Sequence, residues 1–218
     1  MASAVCLREA VALAGRFPLL AGVTLDVDEG EIVHVRGPNG AGKTSLLRLC
    51  CGLLALRSGS GNVLGHDLAG DRQSLRREVG LLGHATFLYD ELSVEENLRF
   101  ALRASGADPR RSTEAMERLG LGGRLRHLAV GRLSAGQRRR VALAVLAGRR
   151  PRLWLLDEPH AGLDQETRDL LDELIVEARA AGATVLLCSH EHARAEAVCD
   201  RVVRLAGGRV IPESARVA

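Results

Sequence analysis

Apolar residues recur along the chain with two periods, one typical of strands and the other typical of helices. Three short runs rich in Val, Ile and Leu, at residues 31–36, 152–157 and 183–190, predict buried strands of a parallel sheet. Apolar positions three and four residues apart predict amphipathic helices at residues 44–50 and 165–180. Because strands and helices alternate, the pattern predicts an α/β fold with a doubly wound sheet.

A segment with helix signals and no strand-like run separates the first of these strands from the second. Ser93 and Glu96 form the S-x-x-E pattern of a capping box, which predicts a helix at residues 93–102. Pro109 predicts the start of another helix near residues 110–119. We therefore predict a single domain over residues 1–218. Its core covers about residues 1–82 and 141–218, and a mainly helical subdomain is inserted at about residues 83–140.

Composition narrows the classes of function. The 218 residues are 46% apolar and 26% charged, enough for one large core or a core with a small subdomain. A net charge of +3 and an aromatic content of 2% argue against a nucleic-acid surface. The five cysteines contain no C-x-x-C pair, which favours reduced thiols over disulfides or zinc. Since no run of about 18 apolar residues occurs, we expect any membrane role to depend on a partner.

The segment that begins at Gly37 matches the G-x-x-x-x-G-K-[ST] pattern of a phosphate-binding loop. Lys43, at the lysine position of this pattern, is the only lysine among the thirty basic residues of the chain. The setting between a predicted strand and a predicted helix would point backbone N–H groups and a helix N-terminus at phosphate, with Lys43 clamping it. The predicted nucleotide-binding residues are Gly37, Pro38, Asn39, Gly40, Ala41, Gly42, Lys43, Thr44 and Ser45.

Two adjacent carboxylates, Asp157 and Glu158, end the second predicted strand. At the carboxyl end of a strand in a parallel sheet, they would lie beside the phosphate loop. Asp157 and the Thr44 hydroxyl are therefore predicted Mg²⁺ ligands, and Glu158 is predicted to polarise the attacking water. Taken alone, an apolar run that ends in Asp-Glu-Pro is equally compatible with a strand that enters a turn and has no catalytic role. The neighbouring phosphate loop favours the catalytic interpretation.

Residues 133–137 read Leu-Ser-Ala-Gly-Gln and precede a predicted helix that Ser134 would cap. With the phosphate loop and the paired carboxylates, this segment resembles the LSGGQ signature of the ATP-binding cassette family, with Ala135 in place of the first glycine. The resemblance implies a P-loop NTPase fold with a mostly parallel sheet, an N-terminal antiparallel β part and an inserted helical subdomain. It also implies ATP and Mg²⁺ as cofactors.

The resemblance extends over nearly the whole chain and implies roles for further residues. Ser134, Gly136 and Gln137 of one subunit would cover the γ-phosphate held by another, so activity would need a homodimer or a pair of similar ATPases. Asp164, in the Ala-Gly-Leu-Asp segment at residues 161–164, would link the two sites. His190 follows the third predicted strand and would contact the γ-phosphate. The implied catalytic set is Glu158, His190 and Lys43.

Two positions depart from the family pattern. His84 stands where a glutamine usually senses Mg²⁺ and the membrane partner. We predict that His84 contacts the metal-bound water less effectively through one ring nitrogen, which leaves the coupling at this loop open. Ala14 stands where an aromatic ring usually stacks on adenine, and Phe17 is a weak substitute. Loss of stacking worth about 1 kcal/mol predicts weak discrimination between ATP and GTP.

Residues 82–84, 91–100 and 133–143 are similar to the ATPase subunit of the haem exporter used in cytochrome c maturation. The implied function is ATP hydrolysis that drives haem export through separate polytopic membrane subunits, at the cytoplasmic face of the membrane and without direct contact with the cargo. A drug, lipid or peptide cargo stays open, because small cassette subunits share these features. A cassette acting on ribosomes or DNA is less favoured, because Lys43 and Ser134 are too close in sequence to enclose a coiled-coil arm.

Overall fold

The computed structural model describes residues 2–211, and strands in this part of the chain form two sheets. In chain order the strands are β1 (Ser3–Ala14), β2 (Phe17–Asp28), β3 (Ile32–Arg36), β4 (Ser58–Val63), β5 (His66–Asp67), β6 (Val79–Leu82), β7 (Leu153–Asp157), β8 (Thr184–Cys188), β9 (Arg201–Ala206) and β10 (Arg209–Ile211). An antiparallel sheet has the order β2-β1-β4-β5, and a six-stranded sheet has the order β10-β9-β3-β8-β7-β6. Every neighbouring pair in the larger sheet is parallel except β9 with β10.

Helices connect the parallel strands and pack on both faces of their sheet. They are α1 (Lys43–Cys50), α2 (Arg72–Glu78), α3 (Val94–Ser105), α4 (Arg111–Arg118), α5 (Ala135–Arg149), α6 (Gln165–Ala180) and α7 (His192–Val198). Short 3₁₀ turns at Gly123–His127 and Val130–Arg132 lead into α5. No helix within residues 2–211 is both long and apolar enough to cross a membrane.

The apolar residues divide into two clusters, one on each face of the six-stranded sheet. Leu153 and Leu155 of β7 pack with α1 and the antiparallel sheet, whereas Trp154 and Leu156 pack with α3 to α6. Successive strand residues point to opposite faces, so an uninterrupted apolar run supplies both clusters. Because β3, β7 and β8 are parallel, their carboxyl ends meet at one edge of the sheet, where the predicted site residues follow them.

The structure confirms the predicted fold class and its main elements. The three predicted strands are β3, β7 and β8, and the predicted helix at residues 165–180 is α6. Ser93 and Ser134 each cap a helix through a reciprocal capping box. The division into core and inserted subdomain stays a prediction. Helix α5 is continuous across residues 140 and 141, and residues 1 and 212–218 of the predicted domain lie outside the described residues.

Candidate functional site

The phosphate loop joins β3 to α1 and holds its lysine inside the loop. Lys43 Nζ donates to the carbonyl oxygens of Gly37 at 2.7 Å and Pro38 at 3.1 Å, and only 9% of the residue is exposed. Gly42 has φ 103°, which a side chain rarely adopts, and a Cβ there would lie 2.7 Å from the Leu19 carbonyl oxygen. The backbone of this loop therefore requires glycine, and the ammonium lies ready to exchange carbonyl oxygens for phosphate oxygens.

Thr44 and Asp157, two predicted Mg²⁺ ligands, contact each other directly. The Thr44 hydroxyl, at the start of α1, donates to Asp157 Oδ2 at 2.7 Å, across the edge where β7 ends. Both groups offer hard oxygen atoms of the kind that Mg²⁺ prefers. Within residues 2–211 no cluster of three or more His, Cys, Asp or Glu side chains is placed to hold a metal. A magnesium ion at Thr44 and Asp157 would thus need phosphate and water oxygens to complete its coordination, and these residues fit such a site.

Glu158 occupies a strained backbone position at the end of β7. Its φ of 48° lies in the left-handed region, which costs a residue other than glycine about 1 to 3 kcal/mol. The conformation is held because the Glu158 N–H donates to the Cys188 carbonyl at 2.8 Å. Its carboxylate accepts from the His190 N–H at 3.0 Å through Oε2. Oε1 is buried and has no hydrogen-bond partner among residues 2–211.

His190 lies in the short segment between β8 and α7. The strand ends at Cys188, two residues earlier than the predicted run at 183–190, because the His190 N–H bonds to a carboxylate instead of a neighbouring strand. The ring is exposed, and its Nε2 lies 3.5 Å from Glu158 Oε1. At that distance the two side chains are neighbours without a strong hydrogen bond, so both face the same space.

Arg139 is a buried contributor to this edge that the sequence did not single out. From α5 it donates to the carbonyl oxygens of Gly83, Asp157 and Glu158, the last at 2.8 Å. Burial lowers the pKa of the Arg139 guanidinium, and the charges of Asp157 and Glu158 oppose that shift. Its only sequence signal was the run of three arginines at residues 138–140, which does not reveal that the middle one points inward.

We expect Arg139→Met to lower the free energy of unfolding by about 2 kcal/mol, because buried carbonyl oxygens lose their donor. ATP hydrolysis should fall as well, since the backbone of Glu158 loses its tie to α5. Urea denaturation and steady-state kinetics measure the two effects. Arg140→Met is the matched control, because Arg140 makes only a half-exposed ion pair with Asp164 at 3.3 Å. Equal stability of the two variants would contradict the anchoring role of Arg139.

These side chains surround a cavity of about 1040 Å³ at the edge of the sheet. The predicted site residues that line it are Asn39, Gly40, Ala41, Gly42, Lys43, Thr44, Ser45, His84, Asp157, Glu158 and His190. Gly37 and Pro38 contribute their carbonyl groups to Lys43 but do not line the cavity. The sequence missed Pro18, Leu19, Gly207 and Gly208, which form a further wall and carry no recognisable motif.

A second group of predicted residues lies outside this cavity. Ser134 and Gln137 bond to each other at the start of α5, each side chain accepting from the other residue's N–H. Gly136 lies between them, and Asp164 caps α6 by accepting from the Thr167 N–H at 2.9 Å. Of the signature segment only Ala135 reaches the cavity wall. Within one chain, the structure therefore does not bring this group against the phosphate loop.

Comparison with known proteins identifies the family of the chain. A family model described as ABC transporter matches residues 20–161. The chain is 44% identical to the cytochrome c biogenesis ATP-binding export protein CcmA of Aromatoleum aromaticum, over 80% of this chain and 83% of the relative. It is 42% identical to the protein of the same name from Bordetella bronchiseptica, over 88% and 84%.

Solved structures give the same result. An ATP-binding subunit of an ABC transporter superposes with a TM-score of 0.86 and 32% identity, covering 96% of this chain and 89% of the other. A dimeric ATP-binding cassette in a post-hydrolysis state, bound to ADP and Pi, superposes with a TM-score of 0.87 and 26% identity, covering 96% and 97%. The chain therefore belongs to the ABC transporter family, in which it is an ATP-hydrolysing subunit.

Proposed function

We propose that this chain dimerises around two ATP·Mg²⁺ and drives haem export for cytochrome c biogenesis through separate membrane subunits. The observation that carries the proposal is its identity of 38–44% with export proteins named for cytochrome c biogenesis, over about four fifths of the chain. The residues around the nucleotide cavity support the hydrolytic part. The cargo would not touch this chain, because the membrane subunits form its path.

Six residues would carry the hydrolysis. Lys43 would bind the β- and γ-phosphates, while Thr44 and Asp157 would hold Mg²⁺, which neutralises charge that develops on the phosphate oxygens. Glu158 would orient and polarise the attacking water through its carboxylate at the cavity wall. His190, whose exposed ring faces the same space, would donate to the γ-phosphate. His84, exposed at the end of β6, would contact the metal-bound water in place of the usual glutamine.

The signature residues support a dimer. Ser134 is exposed and Gly136 half-buried at the start of α5, outside the cavity of their own chain. The helix N-terminus there attracts anions, and the face around it has no nucleotide of its own chain to contact. A second chain would supply that nucleotide, so that Ser134, Gly136 and Gln137 cover a γ-phosphate bound by the partner. Exposed Asp164 would then lie where the two sites meet.

An apolar groove supports docking of a membrane subunit. It encloses about 500 Å³ between the core and α3. The large apolar side chains of Phe87, Tyr89 and Phe100 along it are exposed by 65%, 50% and 49%. Tyr89 and Phe100 form an edge-to-face pair with 5.1 Å between ring centroids. Exposed aromatic side chains in a groove suit a short amphipathic helix, which a membrane subunit at the cytoplasmic face would provide.

Within residues 2–211, no Phe, Tyr or Trp side chain lines the cavity near the expected base position. Phe17 is 79% exposed and does not line the cavity, whereas Pro18 and Leu19 do. We expect kcat/KM for GTP within about tenfold of that for ATP, because an aliphatic wall contributes little base-specific contact. Leu19→Tyr should bind both nucleotides about fivefold more tightly, as stacking adds roughly 1 kcal/mol.

Competition binding with both nucleotides measures this preference. The matched control is Phe17→Ser, which should leave both affinities unchanged. Strong selection for ATP by the unaltered chain, lost in Phe17→Ser, would show that Phe17 stacks on the base after all.

The transport assignment is tested by capture from native membranes. A tagged Glu158→Gln chain with ATP should retain polytopic membrane subunits and haem-handling proteins, identified by mass spectrometry. A matched chain that also carries Phe87→Ser and Phe100→Ser should lose them while still binding ATP. Recovery of other permeases in the first sample would change the proposed cargo and would still support the transport function. Ribosomes or DNA without membrane protein would overturn the proposal.

A further inference from the structure

His34 is a buried histidine in the middle of β3 that the proposed mechanism leaves unused. It is fully buried and lies on the same face of the sheet as Ile32, the face covered by α7. The His192 ring of α7 lies 5.6 Å from the His34 ring between centroids. Because buried polar groups are hydrogen-bonded in native proteins, the partner of His34 indicates what the residue does.

The partner is the backbone beside the catalytic cavity. His34 Nε2 lies 3.2 Å from the Ser189 carbonyl oxygen. A carbonyl oxygen only accepts, so Nε2 carries a proton and donates it. Burial lowers the pKa of the His34 imidazole, and its contact with Ser189 opposes that shift. The neutral ring is therefore favoured, and its unprotonated Nδ1 is buried with no hydrogen-bond partner in the described part of the chain.

The Ser189 carbonyl belongs to the peptide group whose N–H, that of His190, donates to Glu158. The Ser189 carbonyl and the His190 N–H belong to the same planar trans peptide, so they point in opposite directions. His34 holds the carbonyl, and the N–H donates to Glu158 Oε2 at 3.0 Å. Rotation of this peptide would break both hydrogen bonds. The His34 ring and the Glu158 carboxylate are therefore coupled through it.

We propose that His34 is a positioning residue for Glu158, which holds the peptide between Ser189 and His190 so that its N–H keeps the carboxylate aimed into the nucleotide cavity. The inference rests on the proposed role of Glu158 as the base. The Cys188 carbonyl already ties the Glu158 N–H at 2.8 Å, so the backbone of Glu158 is fixed independently of His34. What His34 adds is the orientation of the carboxylate.

Two substitutions separate the hydrogen bond from packing. His34→Leu fills the space without a donor, whereas His34→Gln places an amide N–H near the position of Nε2. We expect kcat for ATP to fall about tenfold to 100-fold in His34→Leu, with KM within about twofold, because misplacement of the base affects chemistry more than binding. His34→Gln should restore most of kcat. Should His34→Leu fail to fold, His34→Met is a second variant without a donor.

The matched control is Thr184→Val on β8. It removes another buried hydrogen bond, from the Gly30 N–H at 3.0 Å, at the opposite end of that strand, and it should leave kcat unchanged. Wild-type kcat in His34→Leu, or a folded His34→Gln as slow as His34→Leu, would overturn the positioning role. An equal loss of kcat in Thr184→Val would do so as well, by showing a general effect of destabilisation.

A readout without activity tests the hydrogen bond itself. In protein labelled with ¹⁵N-histidine, NMR should show His34 as the neutral tautomer protonated at Nε2, and protonation at Nδ1 alone would overturn the inference. A wild-type chain that hydrolyses no ATP would contradict the proposed function instead. In that case the tautomer still decides whether His34 donates to Ser189.

Discussion

Glu158→Gln should reduce ATP turnover by about 10² to 10⁴ while ATP still binds, because the substitution removes a general base and leaves its shape. Glutamine keeps a carbonyl oxygen that can accept from the His190 N–H, which Glu158 Oε2 does at 3.0 Å. It also inherits the same backbone ties to Cys188 and Arg139. The arrangement of the site therefore persists, and only the negative charge and basicity at the attacking water are lost. Measurements of kcat and of ATP affinity on the same sample separate chemistry from binding.

The control for this variant is Glu191→Gln, one residue beyond His190. Glu191 makes only loose ion pairs, with Arg168 at 3.5 Å and Arg194 at 3.8 Å, and it does not line the cavity. Its turnover should equal that of the unaltered chain. Near-normal hydrolysis by Glu158→Gln would contradict the assignment of Glu158 as base.

Lys43→Ala should weaken ATP binding by about tenfold to 100-fold, since hydrogen bonds to a charged group are worth about 1.5 to 3 kcal/mol. Hydrolysis should fall further, by about 10² to 10³ at saturating ATP, because the clamp acts on charge that grows in the transition state. In the absence of nucleotide, the alanine variant also leaves the Gly37 and Pro38 carbonyls without the Nζ donor. Equilibrium binding of labelled ATP and single-turnover hydrolysis measure the two losses.

A matched control lies five residues along the same helix. Arg48 is exposed on α1 and does not line the cavity, so Arg48→Ala removes a basic side chain outside the nucleotide site. Both its affinity and its turnover should be unchanged. Undiminished ATP binding by Lys43→Ala would contradict the phosphate clamp and would leave only the backbone N–H groups of the loop to hold the anion.

The sequence predicted helices and motifs correctly where the residues that determine them are close together in the chain. The helix at residues 165–180 matches α6 because its apolar stripe lies within the segment itself, and Asp164, which caps the helix, directly precedes it. Ser93 and Ser134 cap their helices for the same reason, since their partners are three residues away. The phosphate loop and the carboxylates at the end of β7 were also predicted, because their motifs are contiguous.

Contacts between distant segments were not predictable in this way. Arg139 looks like one member of a basic run, and only the packing of α5 against the sheet turns it inward to the carbonyl of Glu158. His34 lies 155 residues from Ser189, with no pattern that links them. The cavity wall formed by Pro18 and Leu19 depends on how the β1–β2 hairpin packs beside the loop. The roles proposed for Ser134 and Asp164 need a second chain, which the sequence of one chain does not place.

The single lysine also makes the phosphate loop chemically distinct from the rest of the protein. A reagent that acylates side-chain amines has one target, Lys43, in a chain whose other basic residues are all arginine or histidine. Because that amine is buried and bonded to two carbonyls, its acylation rate would report how often the loop opens. A lysine-specific protease would likewise cut only after residue 43, so the appearance of two fragments would measure the same opening, and bound nucleotide would suppress it.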